Sequence, residues 1–442
     1  MKPLLFIETY GCQMNFADSE ILVSILKDQY DTTQDYAQAD LILVNTCSIR
    51  DHAEQRVFNR LKEFAALKKK RPGMKLGLVG CMAERLKEQL LDSDLDIDLV
   101  VGPDAYRSLP RLLSQVEAGQ KGIDTLLSED ETYEDILPVR LGTNRISAFI
   151  SIMRGCQNYC SYCVVPYTRG RERSRDAGTI VDEARSLVDQ GYKEVTLLGQ
   201  NVNSYKDGDV NFAELMRRVA SVSPSLRIRF STSHPKDLSD ELIAVMAAYP
   251  NICRSIHLPV QSGSSVMLKK MNRKYDREWY LDRIRAIRKA MPDCGISTDI
   301  IAGFCGETEE DHKQTLSLME EVGYDFAFMF KYSERPGTFA SRHYPDDIPE
   351  EVKLRRLNEI INLQQSLSHE SNKRDVGKRF EILVEGESKK NKAQYFGRNS
   401  QNKVVVFDNP VLPDGSFRYQ VGDYAVAEVT GCTPATLLGR TL

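Results

Sequence analysis

Residues 154–175 read RGCQNYCSYCVVPYTRGRERSR and carry three cysteines, Cys156, Cys160 and Cys163, spaced C-x3-C-x2-C. A short apolar run, AFISIM (148–153), precedes them and reads as a strand. The cysteines then sit on the loop at its carboxyl end. Three thiolates this close cannot be spread along a rigid strand, but on a loop they can wrap one corner of a cube. A 4Fe–4S cluster usually takes four Cys, so three ligands leave one iron open. Zinc is the alternative. Structural zinc sites usually pair one close couple of ligands with a second, distant couple, and no such couple is evident here.

Working outward, the same rhythm continues from 141 to 371. Strand candidates follow at EVTLLG (194–199), LRIRFS (226–231), SIHLPV (255–260), GISTDII (295–301) and FAFMFKY (326–332). Helical patterns separate them, at 179–190, 237–248, 276–291 and 308–322. Six βα units in succession fit a (βα)6-type partial barrel better than an open sheet. In such a barrel the carboxyl ends of the strands build the site. The strand ends here are polar or glycine: Gln200-Asn201, Ser231-Thr232-Ser233-His234 and Gln261-Ser262.

Residues 1–123 form a second α/β series. LLFIE (4–8), LILVN (41–45) and KLGLVG (75–80) read as strands buried on both faces, with helices at 18–27 and 51–70 between them. That pattern predicts a doubly wound parallel sheet. Cys12, Cys47 and Cys81 each follow one of these strands, where parallel sheets bind ligands. Gly11 and Gly80 directly precede two of them and allow close backbone approach. Three cysteines at equivalent strand ends converge, which predicts a second three-Cys cluster, with zinc plus a water as the runner-up. Cys253, Cys294, Cys305 and Cys432 have no spaced partners and read as structural.

Residues 124–138, DTLLSEDETYEDILP, hold six acidic residues. They mark an acidic linker or surface loop over 124–140. Residues 372–442 change character again. After a helix at about 350–370, the runs EILVEG, AQYFGR, KVVVF, YAVAEV and ATLLGR are separated by Gly, Asn, Asp and Pro, which predicts a small antiparallel β-barrel. Residues 371–442 carry 11 Lys and Arg against 8 Asp and Glu, within a chain whose net charge is −4. The terminal module is therefore the basic part of an acidic protein, so any nucleic-acid surface must be local.

The 442 residues suggest two to four domains at about 100–200 residues each. No apolar run approaches the roughly 18 residues of a membrane span. The opening MKPLLFIETYGC has neither a long apolar stretch nor a small-residue cleavage site. The expectation is a cytoplasmic protein without membrane contact, whose thiols stay reduced.

A C-x3-C-x2-C loop with an aromatic, Tyr162, between the last two cysteines, on the first loop of a six-unit βα barrel, resembles the radical S-adenosylmethionine superfamily. The resemblance implies that the open iron binds S-adenosylmethionine and that Gln200, Asn201, Ser231, Thr232, His234, Gln261 and Asp299 lie at the cofactor. With the N-terminal cysteines and the C-terminal barrel added, the whole chain resembles the methylthiotransferase family, and the last module its RNA-binding TRAM domain. TYGCQMN (9–15), DSE (18–20), HLPVQSGS (257–264), MNRKY (271–275) and STDIIAGFCGETEEDH (297–312) look like the branch that acts on the isopentenylated adenosine 3′ of the tRNA anticodon. Alternatives within the family are threonylcarbamoyl-adenosine and a ribosomal-protein side chain. A different class, an RNA-binding protein with structural metal sites only, would cleave no S-adenosylmethionine.

The resemblance implies two 4Fe–4S clusters and S-adenosylmethionine as both methyl donor and radical source. It implies no residue acting as acid or base, because the target C–H bond is unactivated. It further implies a tRNA anticodon loop carrying isopentenyladenosine, a reductase, and an iron–sulfur or sulfur carrier as partners. Arg169, Arg171, Arg173 and Arg175 are expected to grip anticodon-loop phosphates. Lys389, Lys390 and Lys392, beside Tyr395 and Phe396, are RNA-binding candidates.

Overall fold

The apolar runs of the first 80 residues become neighbouring parallel strands, Leu4–Tyr10, Leu41–Thr46 and Lys75–Gly80. The structure is a computed structural model and describes residues 2–442 apart from 48–50, 91–93, 143–144, 389–390 and 392. Leu99–Val101 and Gly122–Asp124 extend the sheet on one side and Asp31–Thr32 on the other, all parallel. These three are too short to show a period in the sequence. Leu22, Leu43, Leu99 and Leu109 fill one face of the sheet, and Val44, Leu61, Phe64 and Leu78 the other. Each such side chain contributes about 1.5–3 kcal/mol by leaving water, and apolar burial on both faces is why these strands read as unbroken apolar runs.

The helix expected at 18–27 begins earlier, as Gln13–Leu26. Its first turn was hidden because it buries a polar residue, Asn15, beside Met14, and the next turn buries Asp18, Ser19 and Glu20, so no clean apolar stripe marks the start. The acidic segment packs against this domain. Tyr133 is buried and donates to Pro103 O (3.1 Å), while Arg107 pairs with Glu131 (2.6 Å).

Six parallel strands follow in sequential order: Ser147–Ser151, Glu194–Leu198, Arg227–Ser231, Ser255–His257, Gly295–Ala302 and Phe326–Lys331. They form two three-stranded sheets joined by a bridge between Ile228 and Ile252. The two outermost strands share no ladder among the described residues, so the barrel is partial. The helix Gln13–Leu26 reaches this end through Met14 and Ala17, which pack on Phe149 and Leu198. Helix Glu350–Lys373 lies along the last strand.

The terminal module is a closed five-stranded barrel of Arg379–Glu387, Gln394–Arg398, Val404–Asp408, Leu437–Thr441 and Tyr424–Cys432. Four of its strand pairs are antiparallel. Val404–Asp408 and Leu437–Thr441 run parallel, because five strands in a closed ring cannot alternate direction all the way round. This module docks on the starts of the large-barrel strands. Arg229 donates to Asn399 O (2.9 Å), Arg227 to Arg398 O (2.7 Å), and Tyr424 OH to Lys193 O (3.1 Å). It therefore lies at the opposite end from the cysteine loop.

Candidate site: two cysteine sets joined by buried arginines

The first set is built by three adjacent strand ends. Cys12 caps the helix Gln13–Leu26, Cys47 directly follows Leu41–Thr46, and Cys81 opens the helix Cys81–Leu86. Because the three strands are neighbours, the Cys47 thiol lies within hydrogen-bonding reach of both Cys12 and Cys81. The approach requires glycine at position 11: a Cβ there would lie 2.6 Å from Cys47 Cβ, and φ is +133°. A buried amide lattice fixes the floor. Asn15 Nδ2 donates to Asn45 Oδ1 (3.0 Å), and Asn45 Nδ2 donates to Asn15 O (2.7 Å) and Ser19 Oγ (2.9 Å). Cys12 Sγ lies 3.2 Å from Asn15 Oδ1.

The second set is held by a loop. Gly155 (φ +78°) turns the chain where a Cβ would fall 1.8 Å from Arg171 O, and Cys156 N–H donates to Gly170 O (3.1 Å). Asn272 Nδ2 donates to Tyr159 O (2.8 Å), and Ser161 Oγ donates to Lys270 O (3.0 Å). Buried Arg273 donates to Cys160 Sγ (3.3 Å), Tyr162 OH (3.3 Å) and Pro259 O (2.7 Å). Sequence reasoning assigned Arg273 no role. Its only signal was its place in MNRKY.

The two sets differ electrostatically. The Cys47 hydrogen bond and the Arg169 charge outweigh burial and bring Cys12 down to about 6 and Cys81 down to about 7. Cys47, shared between them, is pushed up. In the second set burial dominates, raising Cys156 to about 11 and Cys163 further.

Arg169 connects the sets. It closes the short helix Val165–Arg169 that follows Cys163, and its Nε donates to Cys81 Sγ (3.1 Å). Its Nη2 donates to Asp18 Oδ2 (2.8 Å), and Arg154 Nη1 donates to Asp18 Oδ1 (2.8 Å). Burial raises Asp18, but the two guanidiniums more than offset it and hold the carboxylate below its usual range. Arg173 pairs with Asp104 (2.9 Å) and donates to Ser128 O in the acidic segment (2.7 Å), and Arg175 pairs with Glu183. The expected four-arginine phosphate grip is thus corrected. Arg169, Arg173 and Arg175 are buried and spent on carboxylates, and only Arg171 faces solvent, 3.9 Å from Glu129. Lys389, Lys390 and Lys392 lie outside the described residues.

The strand-end candidates divide. Gln200 Oε1 is buried and unpartnered, as is Ser233 Oγ. Ser231 is half-buried and Thr232 exposed. Gln261, at φ +75°, takes part in the sheet through its backbone, donating to Asp299 O (2.9 Å) and accepting from Ile301 N–H (2.9 Å). Asn201 and His234 are committed to each other. Asn201 Oδ1 accepts from His234 N–H (3.1 Å), and Asn201 Nδ2 donates to Asp237 (2.7 Å). Burial keeps His234 neutral, with Nε2 unpartnered. Asp299 faces His257 Nε2 at 3.4 Å. Among the described residues no three ligands already close on a single metal ion. The chemistry of two three-thiol sets, together with the orphaned buried polar atoms of Gln200, Ser233 and His234, suits larger clusters and a polar cofactor.

A six-stranded partial barrel with a three-cysteine loop at its mouth defines a radical S-adenosylmethionine protein. Its central part, residues 150–319, matches the Radical SAM superfamily. Residues 4–102 match the Uncharacterized protein family UPF0004, and residues 373–442 match the TRAM domain. The chain is 59% identical over 442 residues to the tRNA-2-methylthio-N(6)-dimethylallyladenosine synthase of Phocaeicola vulgatus, covering 99% of this chain and 95% of that one. It is 55% identical to the synthase of the same name from Porphyromonas gingivalis, covering 99% and 94%. Among solved structures, the radical S-adenosylmethionine methyltransferase TsrM of Kitasatospora setae, with cobalamin and a 4Fe–4S cluster bound, shares the fold at TM-score 0.60 and 16% identity, covering 77% of each chain. The chain belongs to the tRNA-2-methylthio-N(6)-dimethylallyladenosine synthase family.

Proposed function

We infer that this chain is a radical S-adenosylmethionine methylthiotransferase that adds a methylthio group to C-2 of N(6)-dimethylallyladenosine beside the tRNA anticodon. Its full-length relatives carry that activity in their names. The observation that carries the reading is the Arg169 contact to Cys81. It ties the helix leaving one cysteine set to a sulfur of the other, which supports two sets acting on one substrate.

Cys156, Cys160 and Cys163 would hold one 4Fe–4S cluster and Cys12, Cys47 and Cys81 a second, which with S-adenosylmethionine supply an electron, a carbon radical and a methylated sulfur. The residues of the chain position rather than react. Arg273 fixes Cys160 and Tyr162. Asn15 and Asn45 fix the floor under Cys12 and Cys47. Arg169 supplies positive charge where thiolates gather. Gln200, Ser231, Thr232, His234 Nε2 and Gln261 surround the place for S-adenosylmethionine. Exposed Arg171 is the phosphate contact we retain from the arginine run, with Lys389, Lys390 and Lys392 of the terminal barrel as further RNA contacts. A reductase would deliver the electron, and a sulfur or iron–sulfur carrier would restore the first cluster. The compartment is the cytoplasm. No helix among the described residues is long and apolar enough to cross a membrane.

The test is nucleoside analysis by mass spectrometry. The anaerobically reconstituted protein is incubated with reductant, S-adenosylmethionine and tRNA bearing either dimethylallyladenosine or threonylcarbamoyl-adenosine. Methylthio gain on the first alone is expected. Gain on the second alone, or none despite S-adenosylmethionine cleavage, contradicts the reading.

A further inference from the structure

The last barrel strand, Phe326–Lys331, turns Ala327 and Met329 toward the core beneath the helix Glu350–Lys373. Alternation sends Phe326 and Phe328 to the opposite, inner face. They are 51% and 46% exposed, and among the described residues no other large apolar side chain on the six barrel strands is left so open. Their rings meet edge to face at 4.9 Å. The His257 ring, two strands away, meets Phe328 at 5.7 Å. Its Nδ1 lies 3.0 Å from Ser297 Oγ and its Nε2 3.4 Å from Asp299 Oδ1. The strand register places Ser297 beside Phe326, Asp299 beside Phe328 and Ile301 beside Phe330. Ile301 packs in one cluster with Tyr162 of the cysteine loop. Phe328 therefore lies about 7 Å along the strand below the level of that loop. Toward the strand starts, Arg229 of the third barrel strand is held by Glu194, Asn399 O and Ser400 O, where the terminal module docks.

We propose that Phe326 and Phe328 are the specificity surface for the branched five-carbon hydrocarbon on the substrate adenosine, with His257 and Asp299 as its polar edge. This rests on the substrate reading above and deepens it. Three features select that occupant over water or a sugar. The exposed surface is aromatic and lacks polar atoms. It lies inside the barrel below the cysteine loop. The Asp299 carboxylate beside it offers an acceptor to the single N–H that a substituted adenine amine retains. An apolar group gains most where it covers apolar surface, and an unmodified adenosine would leave both rings wet.

The test is binding of full-length protein to anticodon stem-loop RNA with dimethylallyladenosine or plain adenosine at the target position, read by fluorescence anisotropy. Phe326→Ala/Phe328→Ala is expected to erase a preference of roughly tenfold or more while leaving affinity for the plain RNA unchanged. Phe328→Leu, still apolar, is expected to keep most of it. S-adenosylmethionine binding to the reconstituted double variant, by equilibrium dialysis, is expected to match the wild type. An undiminished preference in the double variant overturns the proposal. So does loss of S-adenosylmethionine binding with the preference intact, which would make the rings part of the cofactor site. Wild type without any preference also overturns it, and the nucleoside assay then shows separately whether the substrate reading survives.

Discussion

The two cysteine sets present the same number of thiols by opposite means. The first comes from three strand ends of one sheet, spread over 70 residues of sequence, and is held by buried charge: Arg169, Asp18 and Arg154. The second comes from eight consecutive residues and is held by a glycine turn, by the Asn272 and Lys270 hydrogen bonds, and by one buried guanidinium, Arg273, that has no carboxylate partner among the described residues. The difference shows in the thiols. Cys12 and Cys81 are poised to ionise near neutral pH, whereas Cys156 and Cys163 are pushed well above it. A sheet can set sulfurs in place before any metal arrives.

The largest effect should come from breaking the loop. Gly155→Ala puts a methyl into the Arg171 carbonyl at a positive φ. It should abolish S-adenosylmethionine cleavage and remove about half the iron, with the remainder in the first set. Retained cleavage would mean the turn is not what shapes the second set. Next comes charge. Arg169→Gln leaves Asp18 with one guanidinium instead of two. Removing a partner from a buried pair costs about 3–5 kcal/mol, and Arg154 should reduce this to about 2–3. Arg273→Gln breaks mostly hydrogen bonds to neutral groups and should cost about 1–2 kcal/mol. Urea unfolding of the metal-free chains compares them, and equal losses would erase the contrast.

A pH test isolates the helix that leaves Cys81. Burial raises Glu84 to about 7, against 4.5 for a free Glu, despite Lys87 nearby. A raised carboxyl binds its proton more tightly in the folded chain. Its contribution is therefore full below pH 4.5 and is lost as pH rises toward 7. Glu84→Gln should raise stability at pH 8 by up to about 3 kcal/mol and leave it unchanged near pH 4.5. Destabilisation at pH 8 would mean the Lys87 pair outweighs burial. The smallest effect belongs to Arg171→Ala, exposed and 3.9 Å from Glu129. Its stability change should stay within about 0.5 kcal/mol, while affinity for anticodon-loop RNA falls and its salt dependence flattens.

Much of this contrast was legible in the residues. The spacing of Cys156, Cys160 and Cys163 gave the second set. The first needed topology: cysteines 12, 47 and 81 acquire meaning only as ends of parallel strands. The six barrel strands and the five terminal ones were visible because their apolar runs are bounded by polar or glycine turns. The arginine run misled because charge is local in sequence while its partners are not. Asp18 stands 151 residues before Arg169 and Asp104 69 before Arg173. Within a run that looks like a phosphate grip, Arg169 and Arg173 are interior wiring between two domains and Arg175 is wiring within one. The first turn of the helix at Gln13 was hidden for a similar reason, since its buried Asn15 answers to Asn45 on a strand 30 residues away.

The central claim is that each set holds its own cluster and that the two are separable. Iron and acid-labile sulfide per chain, counted after anaerobic reconstitution, test it in the wild type and in Cys12/Cys47/Cys81→Ala. About eight irons falling to about four, with S-adenosylmethionine cleavage retained, is the expected result. About four irons in both proteins would mean that the N-terminal sheet holds no cluster and that the sulfur must come from elsewhere.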